Sequence, residues 1–212
     1  MRQVIIRDVE ERDFLEIKKI IDQTWGFEKL YPDKAALDTA LGIYFNQVLY
    51  GCSFGKAAIL DNKIVGVIFG SANGEKPKYR MMLEDSTKQI LTLLTLPESY
   101  RKNIYEYTYK LCGAYDELLE SKADLYKGTL DFLIVSEEAR GLKIGQKLWE
   151  EISLYFQKNN AESIYVFTDT NCNYGFYEHL GFSMKEARDI EFVFGSEHLP
   201  LKIFLYDYRF NN

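Results

Sequence analysis

Two short apolar runs with a helix-length stretch between them constrain the fold most. "GTLDFLIV" (Gly128 to Val135) and "SIYVFTD" (Ser163 to Asp169) have the β-branched and aromatic character of buried strands. Between them Ile144, Leu148, Ile152 and the pair Tyr155–Phe156 recur at helical spacing, to about Gln157. A strand–helix–strand crossover makes its two strands parallel neighbours in one sheet. Any fold for this chain therefore contains a parallel pair with a helix laid across it.

The joint between that first strand and its helix reads "VSEEARGLKIGQKLWEEI", from Val135 to Ile152. A helix N-terminus exposes unpaired N–H groups and the positive end of its dipole. Gly141 and Gly145 would let phosphates approach that backbone, and Arg140, Lys143 and Lys147 add positive charge. A diphosphate cradle and an ordinary strand–helix loop both fit this stretch taken alone. A Walker loop needs GxxxxGK[ST], but the two glycines are too close and Gln146 follows. The GxGxxG dinucleotide fingerprint is missing too, so ATP and NAD are disfavoured.

Around this unit the elements are simple. "QVIIRDV" (Gln3 to Val9) predicts a first strand. Phe14, Ile17, Ile20, Ile21 and Trp25 predict a helix that Gly26 stops, and Pro32-Asp33 opens another. "GKAAILDNKIVGVIFGSA" predicts a hairpin about Asp61-Asn62. From about Glu75 to Lys122 two helical stretches, separated by Pro97, carry Tyr100, Tyr105, Tyr107, Tyr109 and Tyr115. Half-buried packing explains these tyrosines, and a wall of a substrate pocket is compatible with it. "YGFYEHLGF" predicts a short helix ending at Gly181. "DIEFVFG" and "LKIFLYDYRF" predict a last antiparallel pair, joined by a loop carrying Pro200.

The 212 residues suit one domain, and with 47% apolar and 15% aromatic residues a core can be buried. The net charge of −6 argues against a nucleic-acid partner, so any anion site is local. No apolar run has the length of a membrane span. Cys52, Cys112 and Cys172 are widely spaced and accompanied only by His179 and His198, which argues against a metal site. The odd cysteine count and the absence of an apolar leader after Met1 suggest the cytoplasm.

"LIVSEEARGLKIGQKLWEEI", followed by a strand and then "NYGFYEHLGF", resembles the GNAT acyltransferase superfamily. In its [Q/R]-x-x-G-x-[G/A] loop, Arg140 takes the first position and Gly145 the last, while Lys143 replaces the usual central glycine. Phe176, Tyr177, Glu178, Leu180, Gly181 and Phe182 match the family's "FYEKLGF"-like helix. The resemblance implies an α+β fold over residues 1–212: a mixed sheet of about seven strands, splayed parallel central strands, flanking helices, and a helical insertion at about 75–124. It implies direct transfer of an acetyl group from acetyl-CoA to a small-molecule or peptide amine, without a metal, and a homodimer is common among such proteins. A binding module that keeps the acyl-CoA cradle without transfer is the alternative.

On this resemblance the pantetheine arm pairs with Leu133, Ile134 and Val135, and the pyrophosphate lies on the turn of Arg140, Gly141, Lys143, Ile144, Gly145 and Gln146. Asn171 or Asn173 would touch the arm. Tyr177 is the acid beside the sulfur. Asp131, a carboxylate in an apolar strand, is a candidate base, although a water chain could serve instead. Asp169 reads as a turn or cap, and His179 as a surface or packing residue. Trp25, Phe27 and Tyr31 are expected to line the acceptor pocket.

Overall fold

The computed structural model describes residues 3–79 and 83–210. Residues 1–2 and 211–212 lie outside the described residues, as do residues 80–82 of the expected insertion.

The first strand is β1 (Ile5–Asp8). It leads to α1 (Phe14–Trp25), which ends where Gly26 turns left-handed at φ 67°. A short turn, α2 (Phe27–Leu30), precedes α3 (Lys34–Leu49). Asp33 caps α3 by accepting from the Ala36 amide at 2.9 Å, an interaction worth about 1 kcal/mol. Strands β2 (Phe54–Leu60) and β3 (Lys63–Ala72) form the expected hairpin. Asp61 and Asn62 both take positive φ, as a tight two-residue turn requires. Helices α4 (Leu83–Thr95) and α5 (Glu98–Leu119) follow. Then come β4 (Gly128–Val135), α6 (Ile144–Lys158) and β5 (Ser163–Asp169). The chain closes with α7 (Gly175–His179), β6 (Ser183–Phe194) and β7 (Glu197–Arg209).

The seven strands form one mixed sheet in the order β1-β2-β3-β4-β5-β7-β6. The expected parallel neighbours are β4 and β5. Apolar side chains of α6, including Leu148, Ile152 and Phe156, pack on one face with Leu130. On the other face Ile17, Ile21 and Phe45 pack with Phe69 and Phe132. Helix α5 covers the β6–β7 end through Leu111, Leu118, Ile203 and Leu205.

The last hairpin corrects two expectations. β6 begins at Ser183, not near Asp189, because its first half is exposed and shows no apolar alternation. Pro200 lies within β7 opposite Glu191, not in a loop. It is tolerated because β5 ends opposite Ile203, so β7 has no second ladder at Pro200.

Between Phe69↔Phe132 and Ser71↔Thr129 the β3–β4 register shifts, so Leu130 and Asp131 both stand opposite Gly70. This β-bulge sends Leu130 and Phe132, two residues apart, into opposite cores. A methyl group at Gly70 would sit 2.6 Å from Ile152 Cδ1 and 2.8 Å from the Thr129 carbonyl oxygen. Gly70→Ala should therefore lower stability by about 1–3 kcal/mol through overpacking. Urea unfolding would read this as a lower midpoint at unchanged slope; an unchanged midpoint would mean the bulge yields freely.

Candidate functional site

Strands β4 and β5 pair only at Gly128↔Ile164 and Thr129↔Tyr165. Beyond these residues they diverge, and the gap is where backbone groups become available. On the β3 side Ser136 N donates to the Val65 carbonyl at 2.9 Å. Antiparallel bonding alternates, so Ile134 and Phe132 also spend their amides on β3. The N–H and C=O groups of Leu133 and Val135 therefore point into the gap. Ile134, by contrast, has its backbone held in the ladder and its side chain buried in the α1–α3 core.

A cavity of about 280 Å³ occupies the gap. Asp131, Leu133, Asp169, Cys172 and Tyr177 all line it. The bulge aims Asp131 at Cys52 and Ser71. Its Oδ2 accepts from Cys52 Sγ at 3.3 Å and from Ser71 Oγ at 3.1 Å. Burial raises the Asp131 pKa from 3.8 to about 6, and hydrogen bonds from Cys52, Ser71 and Thr129 hold it from rising further. Neither Cys52 nor Ser71 was legible as a partner, because they stand far from Asp131 in the sequence and meet it only through sheet register.

Tyr177 projects from α7 and is 8% exposed. Its ring packs edge-on against Phe182 at 5.6 Å. Among the described residues its hydroxyl has no hydrogen-bond partner, and burial pushes its pKa well above the ordinary phenol value. Cys172 shares the cavity, and burial pushes its thiol up to about 11. Asp169 is both a turn residue and a cavity residue. Its Oδ1 accepts from the Asn171 amide at 2.7 Å, and burial raises its pKa.

The loop between β4 and α6 turns through two left-handed residues. Gly141 takes φ 81° and Lys143 takes φ 57°. The left-handed backbone at 143 explains why glycine is usual there, and lysine holds that conformation at a cost of about 1 kcal/mol. Among the described residues the amides of Gly141, Lys143, Ile144, Gly145 and Gln146 have no partner. Arg140, Gln146 and Lys147 are exposed around them, while the Ile144 side chain is core. Gly145 has a second reason to be glycine, because a methyl group there would meet the Phe176 ring at 3.0 Å.

The other sequence candidates divide. Asn171 lines a second cavity, and exposed Asn173 accepts from the Phe176 amide and so starts α7; neither lines the inner cavity. His179 is exposed, its Nδ1 2.6 Å from the Gly175 carbonyl oxygen. The second cavity, about 550 Å³, shares Trp25 and Asp169 with the first and includes Phe27. Tyr31 lines neither: it is 1% exposed, packed near Tyr100 and Phe194. Helix α5 does wall the inner cavity, through Leu111, Cys112 and Tyr115. Helical period splits its tyrosines: Tyr107 and Tyr115 stack on Phe192 and Phe167, while Tyr105 and Tyr109 stack on each other in solvent. Tyr44 of α3 completes the wall and was not anticipated from the sequence.

Residues 105–184, from α5 to the first residues of β6, match the family model described as an acetyltransferase (GNAT) domain. That stretch is similar to a GNAT domain. The matched stretch contains the splayed strands, the glycine-spaced loop and α7, so the GNAT match covers every element of the candidate site except the α1–α3 wall and the β2–β3 side. No curated protein sequence matches the chain. Among solved structures, the GNAT fold is shared with a ribosomal-protein-alanine N-acetyltransferase from Brucella melitensis: 13% identity, TM-score 0.54, covering 97% of this chain and 99% of that one. It is shared equally with a polyamine N-acetyltransferase from Drosophila melanogaster: 13% identity, TM-score 0.55, covering 96% and 99%. An N-acetyltransferase from Staphylococcus aureus Mu50 aligns at 10% identity and TM-score 0.53, covering 98% of each chain. At these identities the likeness is one of fold. Among the described residues no helix is long and apolar enough to cross a membrane.

Proposed function

We propose that this chain is an N-acyltransferase that moves the acetyl group of acetyl-CoA directly to a primary amine of a small molecule or peptide. We read residues 1–212 as one such domain, with the α4–α5 segment as its insertion. One observation carries this reading: the gap presents free backbone groups at Leu133 and Val135 beside a cavity that holds an unpartnered phenol and a carboxylate of raised pKa.

Each requirement of acyl transfer finds a group. The free amides of the loop, with Arg140 and Lys147, receive the diphosphate. Leu133 and Val135 hold the thioester arm as a false strand, and one of their amides donates to the oxyanion. Asp131, directly or through water, takes the proton from the acceptor ammonium. The amine attacks the thioester carbon, the C–S bond breaks, and Tyr177 gives its proton to the departing sulfur. No covalent enzyme intermediate is needed. The neighbours in fold act, by their names, on a protein alanine and on polyamines, which leaves the acceptor to this chain's own cavity.

Calorimetric titration with acetyl-CoA tests the donor side. The control is R140E/K147E rather than a change at Gly145, where any side chain also presses on Phe176. Both residues are exposed, so the fold should survive. Charge reversal should weaken binding by about tenfold or more at low salt. A folded wild type that does not bind acetyl-CoA would sink the proposal.

A further inference from the structure

We propose that the acceptor is an arylalkyl-type primary amine: one ammonium, an apolar ring as its body, and no carboxylate beside the nitrogen. This rests on the acyl-transfer reading above and specifies its second substrate.

The inner cavity carries two carboxylates, Asp131 and Asp169, and no Lys, Arg or His lines it among the described residues. Its walls are aromatic. Trp25 lies 5.8 Å from Tyr44 and 5.6 Å from Phe132, ring centre to ring centre, and Tyr115 stacks on Phe167. Aromatic faces attract an ammonium. Among the described residues the hydroxyls of Tyr44 and Tyr115 have no hydrogen-bond partner, so they remain available as acceptors. Trp25 and Asp169 line both cavities and so stand between them, which we take as the neck of one acceptor path.

Beyond the neck the outer cavity is wide and largely apolar, with Phe27, Tyr107, Phe192, Phe194, Leu199 and Leu201. Among the described residues its charged groups are Asp22, Glu28 and Asp169 against the single cation Lys29. The Asp22 Oδ1 accepts from the Glu28 amide at 2.7 Å, which fixes this acidic rim. An ammonium passing the neck meets carboxylates and ring faces, while an aromatic body stays on the apolar floor. A carboxylate on the adjacent carbon would enter the neck with the ammonium. There it would lose water beside Asp169 with no cation to pair with.

The matched pair phenethylamine and phenylalanine isolates that carboxylate. Each is titrated calorimetrically into the full chain, with and without saturating coenzyme A. Phenethylamine should bind about 30-fold or more tightly than phenylalanine. Asp169→Asn keeps an oxygen to accept from the Asn171 amide but removes the charge. In that variant, with its melting temperature checked, the preference should fall to about fivefold or less. Equal binding of the two in the wild type, no binding of either, or an undiminished preference in the folded variant would overturn the proposal. Failure of the donor reading shows separately, as absence of heat when coenzyme A alone is added, and the amine titrations still read the acceptor preference.

Discussion

Tyr177→Phe is expected to lower kcat by about 100- to 1,000-fold, the range general acid catalysis supplies. Acetyl-CoA affinity should stay within about twofold, because the lost interaction is made chiefly in the transition state. The variant isolates the chemistry. The ring that packs against Phe182 is kept, and the missing hydroxyl leaves no partner orphaned. A phenol of raised pKa remains protonated across the working pH range, ready to donate. The base it must satisfy is also strengthened by the site. The Cys172 thiol, in the same cavity, is pushed up to about 11 by burial, and a thiolate leaving there meets the same loss of water. Single-turnover kinetics with a saturating amine would read the step directly. An effect confined to KM would make Tyr177 a wall of the site and not its acid.

Asp131→Asn should separate function from stability. Activity at neutral pH should fall by about 100-fold or more with loss of the general base. In the wild type, kcat/KM should decline below pH of about 6, because the carboxylate must be ionised to accept a proton. The variant should lack that limb. Stability moves the other way. The folded pKa, about 6, lies above the ordinary 3.8, so between these values the folded state keeps a proton that the unfolded state has lost. Stability therefore declines as pH rises through that window, by up to about 3 kcal/mol. Asparagine is neutral throughout, and some of the gain is offset by less favourable bonding to Cys52 and Ser71. A net stabilisation of about 1–2 kcal/mol at pH 7, or about 2–6 °C in Tm, is expected. Calorimetric melting at pH 4 and pH 7 checks it: the advantage of the variant should vanish at pH 4. Equal advantage at both pH values would show that the carboxylate is not carrying the cost.

The sequence made the crossover legible because β4, α6 and β5 each carry a clean apolar period and are bounded by turn residues. The loop's place at a strand–helix joint was legible for the same reason, because glycines and cations there have a local physical meaning. What escaped depends on register. The bulge opposite Gly70 has no local signature in "GTLDFLIV", yet it decides where Asp131 points. The roles of Cys52 and Ser71 follow from that turn of the strand. The first half of β6 escaped because an exposed edge strand such as "SMKEAR" has no core face to show. Its partners are ion pairs with the α5 region, Lys122 with Glu186 and Glu117 with Arg188, which leave no periodic trace. The α5 tyrosines were legible as a group but not individually. Only the helix phase relative to the sheet separates Tyr107 and Tyr115 from Tyr105 and Tyr109.

The contact between Gly145 and Phe176 ties two parts of the molecule together. Phe176 precedes Tyr177 on α7, and its ring edge lies where even a methyl group on residue 145 would press. The first turn of α6 and the helix bearing the phenol therefore fit like a latch and its keeper. A displacement of either is felt by the other, across a stretch of chain that includes all of β5. Glycine in a loop is commonly taken as slack in the backbone; at position 145 it removes slack between two helices.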